Sequence, residues 1–225
     1  MKKFFLPFLF LLCVSLLPAQ TPKPMHIALL IDDGPTPDQL EKFLELFKRE
    51  KIHATFSFVA KNVEAHPQPA KTAIAAGHEI ANHSYEHLHP AGLDQKALDH
   101  EVLAALDVLE TKIGVRPTWY WPPFVEITPD LEKTVAKTTM KIFRPGHLVS
   151  SSDWDISVSA DQLRKNALTN VKDGTVILFH EWRKETLEQM PAILADLKRN
   201  GAVFLTISEL ANYLTNTKPL ANAHR

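Results

Sequence analysis

Four short polar strings carry residue types that could assemble a hydrolytic centre. Asp32-Asp33-Gly34-Pro35 sets two carboxylates side by side where an apolar run ends. Neighbouring side chains in a strand point to opposite faces, so the Gly-Pro break is expected to free the pair to approach one site. The same string also describes an ordinary strand-ending turn. His83-Ser84-Tyr85-Glu86-His87 spaces two imidazoles four residues apart, on one helical face or within one tight loop. Either arrangement lets both reach a single ion. A carboxylate plus two histidines leaves an open position, which is the stoichiometry of catalytic rather than structural zinc. Ile177-Leu178-Phe179 is apolar and turns abruptly polar at His180, while Asp153-Trp154 lies in the polar segment Ser152–Asp155. Alone, the first of these equally describes a satisfied strand-end histidine, and the second a solvated loop around one aromatic.

These strings need elements to hold them. Runs that read as strands cover His26–Ile31, Thr55–Val59, Glu79–Asn82, Trp119–Trp121, Lys141–Phe143, Thr175–Phe179 and Val203–Thr206. They alternate with helical patterns over Pro37–Glu50, Pro69–Ala76, Asp94–Ile113, Pro129–Thr138, Ala160–Val171, Glu185–Asn200 and Ser208–Leu214. Leu40, Phe43, Leu44 and Phe47 recur at helical spacing in the first of these, and Gly77, Gly114 and Gly201 mark helix stops. About seven βα units imply a parallel sheet, either a barrel or a doubly wound open sheet. No Gly-rich phosphate fingerprint follows the first strand, which weakens the dinucleotide-binding version. The expected fold is therefore α/β, an irregular, shortened (β/α) barrel with about seven parallel strands. Chemistry in such a barrel sits on loops after the C-terminal strand ends, where all four strings fall.

The ordered set resembles the polysaccharide deacetylase family (NodB homology domain, carbohydrate esterase family 4). The strings that carry the resemblance are Leu30-Ile31-Asp32-Asp33-Gly34-Pro35, His83-Ser84-Tyr85-Glu86-His87, Trp121-Pro122-Pro123-Phe124, Asp153-Trp154 and Leu178-Phe179-His180. Ala54-Thr55-Phe56 and the approach from Ala76 to Asn82 also match, and the likeness runs from about Met25 to Leu214. It implies a NodB-like deacetylase fold and a hydrolase acting on carbon–nitrogen bonds other than peptides. Asp33, His83 and His87 would hold a divalent metal, Zn2+ most often in the family. Asp32 would be the base toward the attacking water, and His180 the acid that protonates the departing amine. Asp153 would bias His180 toward its charged form, and a backbone N–H near Phe124 would face the oxyanion. Leu178 and Trp154 would line the pocket for the acetyl methyl. The implied partner is an acetylated glycan, with the N-acetyl amide as the bond cleaved. Trp121 departs from the family, which usually has an Arg there to orient the base Asp. A neutral residue at that place opens a second reading, a metal-binding, carbohydrate-binding relative with weak or no turnover. A third reading is an O-acetyl esterase on xylan or a small acetylated molecule. Arg144 could in principle reach across to replace the missing guanidinium.

Composition limits the remaining possibilities. The 225 residues carry 25 Lys+Arg against 26 Asp+Glu, a formal charge of -1, with no basic run that would suggest nucleic acid as a partner. Lys2-Lys3, apolar Phe4–Leu17 and Pro18-Ala19-Gln20 read as a secretory signal peptide over residues 1–19. Export to the periplasm or the medium is then expected, with no membrane span in the mature chain; an uncleaved N-terminal segment would instead leave it anchored. Cys13 is the single cysteine and leaves with that segment, so the mature protein has neither disulfide nor thiolate chemistry. Residues 20–24 form a leader, 25–214 the catalytic domain and 215–225 a polar tail. A monomer is expected.

Overall fold

The computed structural model describes residues 23–217. The expected signal peptide, most of the leader and the end of the polar tail lie outside the described residues. All seven runs expected as strands are strands, and an eighth joins them. They are β1 (Met25–Gly34), β2 (Thr55–Phe58), β3 (Glu79–Asn82), β4 (Trp119–Tyr120), β5 (Lys141–Ile142), β6 (Leu148–Ser150), β7 (Val176–His180) and β8 (Ala202–Leu205). Seven of them form one path in the order β5-β4-β3-β2-β1-β7-β6, and β8 pairs the start of β1. Every pairing is parallel. Among the described residues β5 and β6 end the path without pairing each other. The result is the irregular, shortened barrel that the alternation implies.

The helices are α1 (Pro37–Glu50), α2 (Ala60–Ala65), α3 (Pro67–Ala75), α4 (Gln95–Asp99), α5 (Ala105–Ile113), α6 (Pro129–Val135), α7 (Ala160–Leu168), α8 (Lys184–Arg199) and α9 (Ile207–Thr217). A π turn over His100–Ala104 joins α4 to α5, so the long helix expected over Asp94–Ile113 is one stretch with a bulge in it. Neither the six-residue α2 nor the three-residue β6 was expected. The last helix runs past Leu214 to Thr217, into the segment expected as tail.

The period of two along the strands separates two environments. Ile27, Leu29, Ile31, Phe56, Phe58, Ile177 and Phe179 face outward and pack with Phe43 and Phe47 of α1 and Ile193 and Leu194 of α8. Burying each such side chain stabilises the fold by roughly 1.5–3 kcal/mol. The alternate residues Ala28, Leu30, Val176 and Leu178 face inward, where they meet Trp121, Phe143 and the α9 residues Ile207 and Leu210. The start of α9 also ties to the inner face: Ile207 N–H donates to Thr55 Oγ1 at 2.9 Å and Ser208 N–H to Glu79 Oε2 at 3.0 Å. One step further along these inward rows the chain turns polar, at Asp32 after Leu30 and at His180 after Leu178. The alternation that builds the core thus delivers a carboxylate and an imidazole to the C-terminal mouth.

Candidate active site

Asp32 ends the inward row of β1 and is buried. Its Oδ1 accepts a hydrogen bond from the Ser57 hydroxyl, and its Oδ2 accepts the indole N–H of Trp121 at 2.7 Å. Asp33 has a left-handed backbone, φ 75°, and the β1–β2 register slips between Asp32 and Gly34. This bulge, rather than the Gly-Pro break, turns the second carboxylate to the same side as the first. Glu181 then locks the loop. Its carboxylate lies where a side chain at Gly34 would have to go, and it accepts the Thr36 N–H.

His83 and His87 lie on a loop after β3, of the two arrangements their spacing allows, with Ser84 and His87 at φ 68° and 63°. The buried His83 donates from Nδ1 to the carbonyl of Trp121 at 2.7 Å, which leaves Nε2 toward Asp33. Asp33 Oδ1 stands 3.4 Å from His83 Nε2 and 3.3 Å from His87 Nε2. One ligand atom from each of the three lies within 4.8 Å of the others. The π turn braces this loop through Glu101, whose Oε2 accepts the Glu86 N–H at 3.0 Å. A single divalent cation fits the donor set. Asp33 Oδ1 is buried without a hydrogen-bond partner, and carboxylate with two imidazoles is a coordination chemistry that zinc and its neighbours accept.

His180 faces the cleft from the end of β7, held by a fully buried Asp153. Asp153 Oδ2 accepts the His180 backbone N–H at 2.7 Å and the Thr186 hydroxyl at 2.6 Å, and its Oδ1 accepts from His180 Nδ1 at 2.7 Å. The cleft between these two corners has a volume of about 540 Å³. Leu178 lines it from the strand, and Trp154, 60% exposed, lines it from the rim. Phe124 forms another part of the rim, stacked on His89 with ring centroids 3.4 Å apart and 4.7 Å from His87. Phe124 and Val125 both take left-handed φ, 56° and 57°. For a β-branched residue that is a strained conformation, and here it aims the aromatic ring over the histidines.

Charge states differ sharply across the cleft. Burial raises the pKa of Asp32, and the charges of His83 and His180 only partly offset it. Burial also penalises the Asp33 anion, yet the close approach and charge of His83, with the charges of His180 and His87, hold its pKa below the usual carboxylate range. His87 is pushed down to about 4 by burial and by His83, so its lone pair is free for a ligand role. Burial would lower His180, but the Asp153 hydrogen bond and the charges of Asp32, Asp153 and Asp33 push it up to about 9. Burial pushes Glu181 up to about 8.

All ten residues singled out in the sequence come to this one mouth or to its immediate support. Arg144 does not: it pairs with Glu132 on the exterior, and the partner of Asp32 is the Trp121 indole itself. Ser57, Glu181, Trp182 and Thr186 were not anticipated. Ser57 carried a signal, a hydroxyl two residues after Thr55 on the inward row of a strand. Trp182 carried only its nearness to His180; its indole N–H donates to Asp33 Oδ2 at 2.8 Å.

The family model described as polysaccharide deacetylase matches residues 19–143. A peptidoglycan-N-acetylglucosamine deacetylase of Bacillus cereus is 28% identical over 190 residues, covering 83% of this chain and 88% of the relative. Among solved structures, the Xyl-CE4 domain of a multidomain xylanase from the hindgut metagenome of Trinervitermes trinervoides superposes with a TM-score of 0.77 at 26% identity, over 89% of this chain and 96% of that one. The peptidoglycan deacetylase PdaC of Bacillus subtilis gives a TM-score of 0.77 at 27% identity, over 87% and 94%.

Proposed function

The chain belongs to the polysaccharide deacetylase family, and on that premise we propose that it is an exported, metal-dependent enzyme that removes N-acetyl groups from a hexosamine-containing glycan. The observation that carries this reading is the unpartnered, buried Oδ1 of Asp33 facing two imidazole nitrogens, with a second carboxylate beside it and a charged histidine opposite. Asp33, His83 and His87 would hold the cation, zinc above all. Such a cation supplies Lewis acidity to the acetyl carbonyl and to the attacking water.

The remaining roles belong to side chains. Asp32 takes the proton of the attacking water. Ser57 and Trp121 hold its two oxygens, so the carboxylate cannot swing away. Its raised pKa brings it closer to the operating pH, where a base is most effective. His180 keeps Nδ1 on Asp153 and, as an imidazolium, presents its other N–H to the leaving nitrogen. An amine leaves as a neutral molecule only if that proton arrives. Leu178 and Trp154 give the acetyl methyl an apolar wall, and Phe124 closes the rim beside the developing oxyanion.

The reading of a binding-only relative starts from the absent Arg. The Trp121 N–H at 2.7 Å from Asp32 Oδ2 supplies the orientation without the charge, which favours a working base. The O-acetyl reading shares the same site and differs only in the leaving group. Acetate release decides among the three. Zinc-loaded protein is expected to release acetate from N-acetylglucosamine oligomers or peptidoglycan fragments faster than from acetylated xylan. Binding of those glycans with no acetate released would establish the binding-only relative, and a preference for xylan the esterase.

A further inference from the structure

Trp182 sits between two buried anchors. On one side Glu181 has no exposed surface, takes the Thr36 N–H and donates its own N–H to the Asp32 carbonyl at 2.9 Å. On the other side Arg183 is 6% exposed and donates from Nη2 to the Val158 carbonyl at 3.1 Å. The carbonyl of Trp182 itself accepts from the Gln39 side chain at 3.2 Å, tying the segment to α1. The segment is thus fastened on the Glu181 side to the loop that carries Asp32 and Asp33, and on the Arg183 side to the stretch before α7 at Val158. What remains free is the ring, which forms one wall of the cleft and ends with its N–H on Asp33 Oδ2 at 2.8 Å. The other oxygen of that carboxylate, Oδ1, is the one that faces both histidines.

We propose that Trp182 is a positioning residue of the metal centre: its indole N–H occupies Oδ2 of Asp33, so that the carboxylate offers the cation one oxygen in one fixed orientation. The inference rests on the reading of Asp33, His83 and His87 as the metal ligands. Its physical basis is that a ligating carboxylate free to rotate must be ordered when the ion binds, whereas one already hydrogen-bonded on its far oxygen need not be. An exposed wall tryptophan with no such role would give the cleft its apolar surface and nothing else. Trp182→Phe separates the two, because it keeps an aromatic wall and deletes only the donor.

The test is the zinc dissociation constant of the full chain, measured at pH 7 by competition against a chromophoric chelator, with melting curves of the metal-free proteins alongside. Trp182→Phe is expected to weaken zinc binding by roughly ten- to a hundred-fold, the usual cost of removing a partner that orients a ligand. Its metal-free melting temperature should stay with that of wild type. Trp182→Gln, which restores a donor on a smaller side chain, should recover part of the affinity although it loses the ring. Unchanged or tighter zinc binding in Trp182→Phe overturns the proposal, as does a Trp182→Gln no better than Trp182→Phe. Wild type that takes up no zinc overturns the metal-ligand reading and this inference together; wild type that binds zinc beside an unaffected Trp182→Phe overturns this inference alone.

Discussion

A buried histidine and a part-buried one, at opposite ends of the barrel, are driven in opposite directions. His78 lies just before β3, at the N-terminal end, and its Nδ1 accepts the Ala54 N–H at 3.1 Å. It packs against the rings of Phe47, Phe56 and His53, and burial with the nearby His53 pushes it down to about 4. His180, at the C-terminal mouth, is pushed up to about 9 because buried carboxylates reverse the same desolvation. The groove beside His78 is the larger of the two, about 680 Å³ against 540 Å³. Size and burial therefore do not single out the site. What does is a set of polar side chains that converge on one point, with Asp33 Oδ1 among them left without a hydrogen-bond partner.

The comparison is most severely tested on the mouth side. His83→Ala should lose most of the bound metal, read by elemental analysis, and turnover should fall to that of chelator-treated wild type. Asp32→Asn should keep the metal while turnover drops roughly a hundred- to ten-thousand-fold, the range for losing a general base. Asp153→Asn should act through His180: the alkaline limb of the pH–rate profile, expected near 9 in wild type, moves toward the ordinary histidine value of 6.5. An unmoved limb would mean that His180 is not the acid.

The smallest effects concern stability and distinguish the two ends directly. A histidine lowered on folding contributes stability above its unfolded value of 6.5, and that contribution is lost as pH falls toward 4, which is the case of His78. A histidine raised on folding contributes fully below 6.5 and loses the contribution as pH rises through about 9, which is the case of His180. Melting curves across pH should show His78→Asn, which keeps an acceptor for Ala54, flattening only the acid side. Its acetate release at pH 7 should match wild type. His180→Gln should flatten only the alkaline side.

Much of this was legible from residue types and spacing. The alternation gave seven of the eight strands, five as runs of four or more residues and two, at Trp119–Trp121 and Lys141–Phe143, as shorter runs set between helical patterns. A carboxylate with His83 and His87 was legible as a set because two strand ends, those of β1 and β3, supply it, and the family resemblance pointed to Asp33 within the acidic pair; no single string was decisive. Contacts between side chains far apart in sequence were not legible. Trp121 read as the loss of an orienting partner, since the sequence shows a missing charge and not an indole N–H at hydrogen-bonding distance. Trp182 gave no periodic signal, and its role depends on a bulge at Asp33 that only the register of β1 against β2 reveals.

The position of β1 in the sheet also orders events in time. It leads the described chain and carries both carboxylates, yet two of its three neighbours, β7 and β8, come from the last third of the sequence. Pairings so distant along the chain are closed late, because the loop entropy has to be met before the contacts reward it. The three side chains proposed as ligands are all synthesised within the first 87 residues, while Glu181 and Trp182 arrive only with β7. A partly made or partly threaded chain therefore holds Asp33, His83 and His87 without the Trp182 hydrogen bond that braces Asp33, and on the proposed reading tight metal binding becomes a mark of completed folding.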